Sequence, residues 1–74
     1  MAKKGEEDGV YKIVEVVGTS TISWEDAASS AVATAAKTLR DLRIAEITKL
    51  DMKVEGGKAV AFRARVSLSF KYTP

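Results

Sequence analysis

Three stretches of the chain carry the hydrophobic pattern of β-strands, and one stretch carries that of a helix. The first strand is predicted from about Val10 to Gly18, because the stretch is rich in β-branched residues and stops at a glycine. The second is predicted over about Ile44 to Glu55, and the third over about Lys58 to Thr73. The pattern therefore predicts an α+β domain of order β-α-β-β.

The third strand has the clearest alternation. One face is apolar and comprises Val60, Phe62, Ala64, Val66, Leu68, Phe70 and Tyr72. On the second strand a matching apolar face is expected from Ile44, Leu50, Met52 and Val54. Gly56-Gly57 separates the two strands and predicts a two-residue hairpin, because both turn positions accept positive φ. The simplest sheet is antiparallel, with the third strand in the middle.

The helix is predicted from about Trp24 to Leu42. Ser23 and Asp26 have the spacing of a capping box at its start. Its contact face is mostly alanine, at helical spacing: Trp24, Ala27, Ala28, Ala31, Ala35 and Leu39, with Val32 beside them. Alanines allow close packing on a sheet but bury little area.

The predicted strands are longer than the predicted helix. Strands of roughly 12 to 15 residues span about 40 Å or more, whereas a helix of about 18 residues spans roughly 27 Å. The apolar face of the third strand therefore continues past the helix, and such a patch usually marks a partner surface. This comparison predicts self-association.

The composition supports self-association and excludes several kinds of structural and catalytic chemistry. A chain of 74 residues makes one marginal domain. It has no Cys and no His, which excludes disulfides, zinc-finger staples and histidine catalysis. An enzyme is not expected, because Ser and Thr without a base are weak nucleophiles. Residues 1–9 are charged and predicted to form a flexible arm, leaving residues 10–74 as the domain.

Charge and hydropathy limit the partners. The net charge is +2, with basic residues scattered among acids, so no nucleic-acid surface is expected. No stretch approaches the roughly 20 apolar residues of a membrane span, and no apolar leader is visible near the start. The expected location is cytoplasmic.

A few polar positions carry alternative interpretations. Glu25 and Asp26 suit helix capping. Gly18-Thr19-Ser20 suits a hydrogen-bonded loop, with anion binding as the alternative. Arg63 and Arg65 are expected to form salt bridges with Glu46 or Glu15 across strands, with an anion-binding ring in an assembly as the alternative.

The acidic residues on the second strand also have two interpretations, a solvated face or a calcium site. Asp51 and Glu55 alternate with lysines and suit a solvated face. A calcium site at a junction between copies stays open, because several chains together supply enough oxygen ligands.

The stretch YKIVEVVGTSTISWEDAASSAVATAAKTLRDLRIAEI, the Gly-Gly hairpin and SLSFKY together resemble the dodecin family over about Val10 to Tyr72. The most specific blocks are Val17-Gly18-Thr19-Ser20 with Ser23-Trp24, and Arg43-Ile44-Ala45-Glu46. The resemblance implies a three-stranded antiparallel sheet wrapped around one helix, in a hollow homododecamer. It also implies a storage or buffering protein for flavins such as FMN or riboflavin, and no enzyme.

Two departures from the family pattern bear on the ligand. Flavin-binding dodecins carry a stacking Trp on the second strand and a hydrogen-bonding Gln on the third, and the matching positions here are Ile44 and Arg63. Ile has no π face, and Arg has only donors. The resemblance makes Ile44, Arg63 and Glu46 the ligand-contact residues, with flavin binding weakened.

The alternative is a flavin-free assembly that binds calcium or anions. The Arg63 pattern, with Asp51-Met52 upstream and Ser69-Phe70-Lys71 downstream, is similar to the calcium-binding branch of the family. No metal ligand is assigned from the sequence.

Overall fold

Four elements follow one another in the predicted order. The computed structural model describes residues 9–72, with β1 (Tyr11–Ser20), α1 (Trp24–Ala35), β2 (Leu42–Glu55) and β3 (Lys58–Lys71). The strands form a three-stranded antiparallel sheet of order β1-β3-β2, so β3 lies in the middle as predicted. The predicted N-terminal arm (residues 1–9) lies outside the described residues except for Gly9.

The start of α1 is capped as the sequence predicts, although only half of the capping box forms. Ser23 is extended, and its hydroxyl accepts a hydrogen bond from the backbone N–H of Asp26 at 3.0 Å. The Asp26 carboxylate accepts from the Ser20 hydroxyl at 2.7 Å instead of reaching back to Ser23. The acid therefore connects the helix to the end of β1.

The predicted end of the helix at Leu42 is wrong, because α1 ends at Ala35. A hydrogen bond from the backbone N–H of Thr38 to the Ala35 carbonyl, 3.1 Å, tightens the turn that follows. Asp41 then adopts a positive φ of 58°, which turns the chain into β2. Leu39 still packs against the core from this turn, which explains why its helical spacing was misleading.

Gly18 does not end β1, although the sequence suggested that it would. The strand continues to Ser20, and Gly18 pairs with Ala64 of β3. A Cβ atom at Gly18 would overlap the Ala27 carbonyl and lie 2.9 Å from the Ala31 Cβ. The glycine is needed because helix and strand approach each other closely here.

The core is small and forms where α1 lies against β1 and β3. Its buried members are Ala27, Ala28, Ala31, Ala64, Val66 and Leu68. The alanine contact face of the helix is therefore confirmed. Because Leu68 and Val66 are the largest fully buried side chains, the hydrophobic stabilisation from this core is modest.

Register shifts in β2 change which residues share a face. The pairing of Leu50 with Ala64 places Leu50 on the face that packs on α1, here called the helix face. Ile44 pairs with Ser69 and lies on the opposite, outer face. The predicted shared face of Ile44 and Leu50 is wrong, because a shift between Ile47 and Lys49 leaves Thr48 as an extra residue.

The sheet extends well beyond the helix, as predicted. β1 ends with Ser20 opposite Phe62, and beyond that point β2 and β3 continue alone to Gly56-Gly57. Both glycines have positive φ, 58° and 77°, as the predicted hairpin requires. The molecule measures 55 × 20 × 17 Å. Residues 50–62 are called the hairpin arm below.

Candidate functional site

The three residues singled out from the sequence lie on the outer face of the sheet. Ile44 and Glu46 are on β2, opposite Ser69 and Ser67, and Arg63 is on β3. Arg63 lies six residues along β3 from Ser69, or about 20 Å at the usual rise of a strand. The structure thus brings Ile44 and Glu46 together and leaves Arg63 apart, so one ligand touches all three only across copies of the chain.

Ile44 belongs to a small apolar row on the outer face. Ile13 of β1 and Ile44 of β2 flank Ser69 of β3, and their exposed fractions are 64% and 58%. Both side chains are branched aliphatics, so the row supplies apolar contact without an aromatic ring. A ligand seated on it gains burial but no stacking.

Glu46 belongs to the next row along the sheet, which is acidic. Glu15 of β1 and Glu46 of β2 flank the hydroxyl-bearing Ser67. The row gathers two carboxylates and one hydroxyl. Among residues 9–72, however, no group of three or more acidic side chains lies close enough to hold a metal ion.

Arg63 forms a bidentate pair with Asp51, which lies directly opposite it on β2. Its Nε and Nη2 atoms donate to the two Asp51 carboxylate oxygens at 2.7 and 2.9 Å. The predicted salt bridge of Arg63 with Glu46 or Glu15 is therefore wrong. Since one edge of the guanidinium is engaged, Arg63 offers an incoming anion only its remaining N–H groups.

The ion pair shifts the pKa values of Asp51 and Arg63 so that both charged forms are favoured. The hydrogen bond from Arg63 lowers the pKa of Asp51, with a smaller contribution from the Arg65 charge, while desolvation opposes the change. The same hydrogen bond raises the pKa of Arg63. Because about half of each side chain is exposed, water screens the attraction and its contribution to stability is small.

Asp51 also receives a hydrogen bond through its backbone, from the helix side. The Trp24 indole Nε1 donates to the Asp51 carbonyl oxygen at 3.0 Å. The indole packs edge-on against Phe62 with ring centroids 5.0 Å apart. Trp24 is thus a structural anchor at the root of the hairpin arm, and it joins α1 to both β2, through Asp51, and β3, through Phe62.

The Gly18-Thr19-Ser20 segment shows local hydrogen bonding. The Ser20 hydroxyl accepts from the backbone N–H of Ile22 at 2.9 Å, and Gly18 and Thr19 lie within β1. This arrangement matches the interpretation as a strand end with a hydrogen-bonded loop.

Two apolar grooves flank α1. The larger, of about 580 Å³, lies between α1 and β1, and its walls include Val14, Val16, Ala31 and Leu39. The smaller, of about 310 Å³, lies between α1 and β2 and contains Ile47. None of the described residues that line either groove carries a charge. No helix within residues 9–72 has the length and hydropathy needed to cross a membrane.

The pairing of Asp51 with Arg63 is what sequence reasoning missed, because Asp51 was interpreted as part of a solvated strand face, with a calcium site between copies as the alternative. The alternation of Asp51 with lysines gave no indication that Arg63 lies opposite it. The register shift between Lys53 and Val54 produces that pairing.

Comparisons with known proteins agree with one another. A family model described as Dodecin matches residues 10–73. Calcium dodecin from Mycobacterium tuberculosis is 38% identical over 65 residues, covering 88% of this chain and 92% of the relative. The structure of dodecin from Streptomyces coelicolor superposes with a TM-score of 0.84 at 31% identity, covering 92% and 97% of the two chains. The crystal structure of the Mycobacterium tuberculosis calcium dodecin superposes with a TM-score of 0.78, covering 88% and 93%.

Proposed function

The chain belongs to the dodecin family, and from this premise we propose that it is a non-catalytic small-molecule binding and storage protein built as a homododecamer. The proposal rests on two surfaces, the outer face of the sheet and the hairpin arm, that stay exposed in a single copy of the chain. The outer face holds Ile44, Glu46 and Arg63 too far apart for one chain to form a closed site. The apolar hairpin arm extends beyond the helix that would cover it.

Assembly follows from the small core. Six buried residues, mostly alanine, give one copy little hydrophobic stabilisation. Small domains without disulfides or metals usually gain the missing stability from oligomerisation. Size-exclusion chromatography with light scattering tests this step, and the expected mass is twelve times 8.0 kDa. A monomer at micromolar concentration would contradict it.

The side-chain inventory favours binding over catalysis. The chain contains neither Cys nor His, the residues that most often supply a nucleophile or a base near neutral pH. The hydrogen bond from Arg63 lowers the pKa of Asp51, so this carboxylate stays ionised and is unsuited to act as a general acid.

The outer face does not fit a flavin held by stacking. Ile44 provides an aliphatic surface where a ring is needed. Arg63 has no acceptor for the polar edge of the ring, and Asp51 already engages its Nε and Nη2 atoms. We therefore propose that FMN and riboflavin bind only weakly. The test is titration of riboflavin fluorescence with the purified assembly, and strong quenching at micromolar protein would contradict weak binding.

Calcium is the second candidate ligand. The similarity to calcium dodecin favours it, and Glu15 with Glu46 provides two carboxylates in one row of the outer face. Because Ca²⁺ takes six to eight oxygen ligands, these two acids would hold it only where further copies add oxygens. The site is therefore proposed at a junction between chains.

The calcium candidate is tested by melting the protein with added Ca²⁺ and with EGTA. Binding to the folded assembly is expected to raise its melting temperature. Glu46→Gln is expected to abolish that rise, whereas Glu25→Gln, on the exposed first turn of α1, leaves it intact. Equal melting temperatures in Ca²⁺ and EGTA would exclude the candidate.

A further inference from the structure

Two cations face each other in the middle of the outer face. Arg65 of β3 pairs directly with Lys49 of β2, and both side chains are exposed. Residues at such opposite positions have Cβ atoms about 5 Å apart, and like charges placed there destabilise a sheet. Val17 of β1 lies on the other side of Arg65 and is 48% exposed. A negative partner would therefore stabilise these three residues, here called the basic row.

A β-bulge in β2 creates the basic row. Ile47 pairs with Val66 and Lys49 with Arg65, so Thr48 is an extra residue between them. Without the bulge, Thr48 would lie opposite Arg65, and Lys49 would lie on the helix face. The Thr48 hydroxyl donates a hydrogen bond to the Arg65 backbone carbonyl at 3.3 Å, which holds the extra residue in place. Bulges are common next to functional sites, where they redirect a side chain.

The described part of the chain does not neutralise the basic row. Neither Lys49 nor Arg65 forms an ion pair with an acid of residues 9–72. Arg65 makes only a minor contribution to the lowered pKa of Asp51, and that carboxylate already accepts two hydrogen bonds from Arg63. The N–H donors of the two cations therefore stay available to a ligand.

We propose that Lys49 and Arg65 bind a small oxyanion, which is a phosphate or a carboxylate group. The planar guanidinium of Arg65 matches two oxygens of such a group, and the Lys49 ammonium adds a point charge from the neighbouring strand. Val17 supplies an aliphatic surface beside the ligand. The site lies within one chain and uses none of the residues proposed for flavin or calcium, so it goes beyond the proposed function.

The neighbouring acids limit which anions bind. Glu15 and Glu46 flank Ser67 in the next row of the outer face, roughly 7 Å away along the strands. Their carboxylates repel an anion at the basic row, which favours a compact anion over a polyanion that extends across both rows. Glu46→Gln should therefore tighten binding, whereas Glu25→Gln, on α1, should have a smaller effect.

The experiment titrates the protein with inorganic phosphate and follows the phosphorus NMR signal, which broadens when the ion exchanges with a large molecule. Phosphate replaces chloride at constant ionic strength, so that general screening does not change. Arg65→Gln removes the planar donor, and Lys49→Gln removes the charge opposite it. Lys53→Gln is the matched control, because it removes the same charge from the outer face of β2 outside the basic row.

Arg65→Gln is expected to weaken phosphate binding about tenfold, and Lys49→Gln about threefold. Lys53→Gln should leave the affinity essentially unchanged. Acetate and methyl phosphate are then added as competitors. Stronger competition by acetate would identify a carboxylate ligand, and stronger competition by methyl phosphate a phosphate monoester. Competition by neither would identify free phosphate, and each of these results supports the site.

Thermal unfolding gives a second measurement that does not depend on the NMR signal. In phosphate-free buffer, Lys49→Gln should raise the melting temperature, because it removes the repulsion with Arg65. Added phosphate should raise the melting temperature of the natural protein but not that of Lys49→Gln.

Three results overturn the inference. Equal weakening by Lys49→Gln and Lys53→Gln would show that phosphate responds to net charge alone. A sharp phosphorus signal with folded natural protein at millimolar phosphate would show that the basic row does not bind the ion. A lower melting temperature of Lys49→Gln in phosphate-free buffer would mean that the chain itself neutralises this lysine. None of these results depends on whether copies assemble, so failure of this inference is distinct from failure of the proposed function.

Discussion

Arg63 and Asp51 face each other on neighbouring strands and form two hydrogen bonds of 2.7 and 2.9 Å on the outer face of the sheet. The acid is also held from the other side, because its carbonyl oxygen accepts from the Trp24 indole. Asp51 therefore joins the helix to the surface where Arg63 lies. Changes at this acid should be measurable in both places.

The first prediction concerns the titration of Asp51. Its pKa lies below the ordinary value of 3.8 because Arg63 hydrogen-bonds the ionised form. The small stabilisation from the pair is thus present above pH 3.8 and is lost as the pH falls through the lower folded value. Arg63→Gln should raise the Asp51 titration midpoint, measured by carboxyl-carbon NMR. Arg65→Gln should raise it less, and equal shifts would contradict the assigned cause.

The second prediction separates the two contacts of Trp24. Trp24→Phe keeps a ring against Phe62 but removes the donor to Asp51, and should reduce the free energy of unfolding by about 1 kcal/mol. Trp24→Ala removes the ring as well and should cost clearly more. Denaturant unfolding at one fixed protein concentration measures both. Equal losses in the free energy of unfolding would mean that the hydrogen bond provides most of the stabilisation by Trp24.

The third prediction tests the close approach of helix and strand. Gly18→Ala places a methyl group where the Ala27 carbonyl lies. The resulting overpacking should destabilise the fold by about 1–3 kcal/mol. Thr19→Ala, at the exposed neighbouring position, should change stability by no more than about 0.5 kcal/mol. A neutral Gly18→Ala variant, measured by thermal unfolding, would show that the helix can move away from β1.

The sequence predicted the order of elements, the sheet topology, the hairpin and the alanine contact of the helix. These features follow from local alternation and helical spacing, which the structure preserves at Ala27, Ala31 and Val66. The end of the helix did not follow, because Leu39 keeps helical spacing while packing from a turn. Its burial satisfies the pattern without requiring a helix.

The Arg63–Asp51 pair escaped prediction for a geometric reason. Counting back from a two-residue Gly56-Gly57 turn puts Asp51 opposite Phe62. The register shift between Lys53 and Val54 moves it opposite Arg63 instead. A one-residue shift exchanges the faces of a strand, and simple alternation gives no indication of it. The ligand roles of Ile44, Glu46 and Arg63, and the cytoplasmic location, stay predictions.

The fourth prediction tests whether Ile44 and Arg63 are the positions that limit flavin binding. Ile44→Trp with Arg63→Gln supplies a π face and an amide acceptor on the outer face. The double variant should quench riboflavin fluorescence at least tenfold more tightly than the natural chain. Ile44→Leu with Arg63→Lys is the matched control and should not. Unchanged weak binding in the first variant would mean that other parts of the surface also exclude flavin.

The position of Trp24 has a practical consequence. It is the one tryptophan of the chain, and it lies half-buried at the root of the hairpin arm, against Phe62. Its emission spectrum should therefore respond when copies of the chain come together or separate. The natural protein carries its own optical probe, so the kinetics of its assembly can be followed by stopped-flow dilution without attaching a dye.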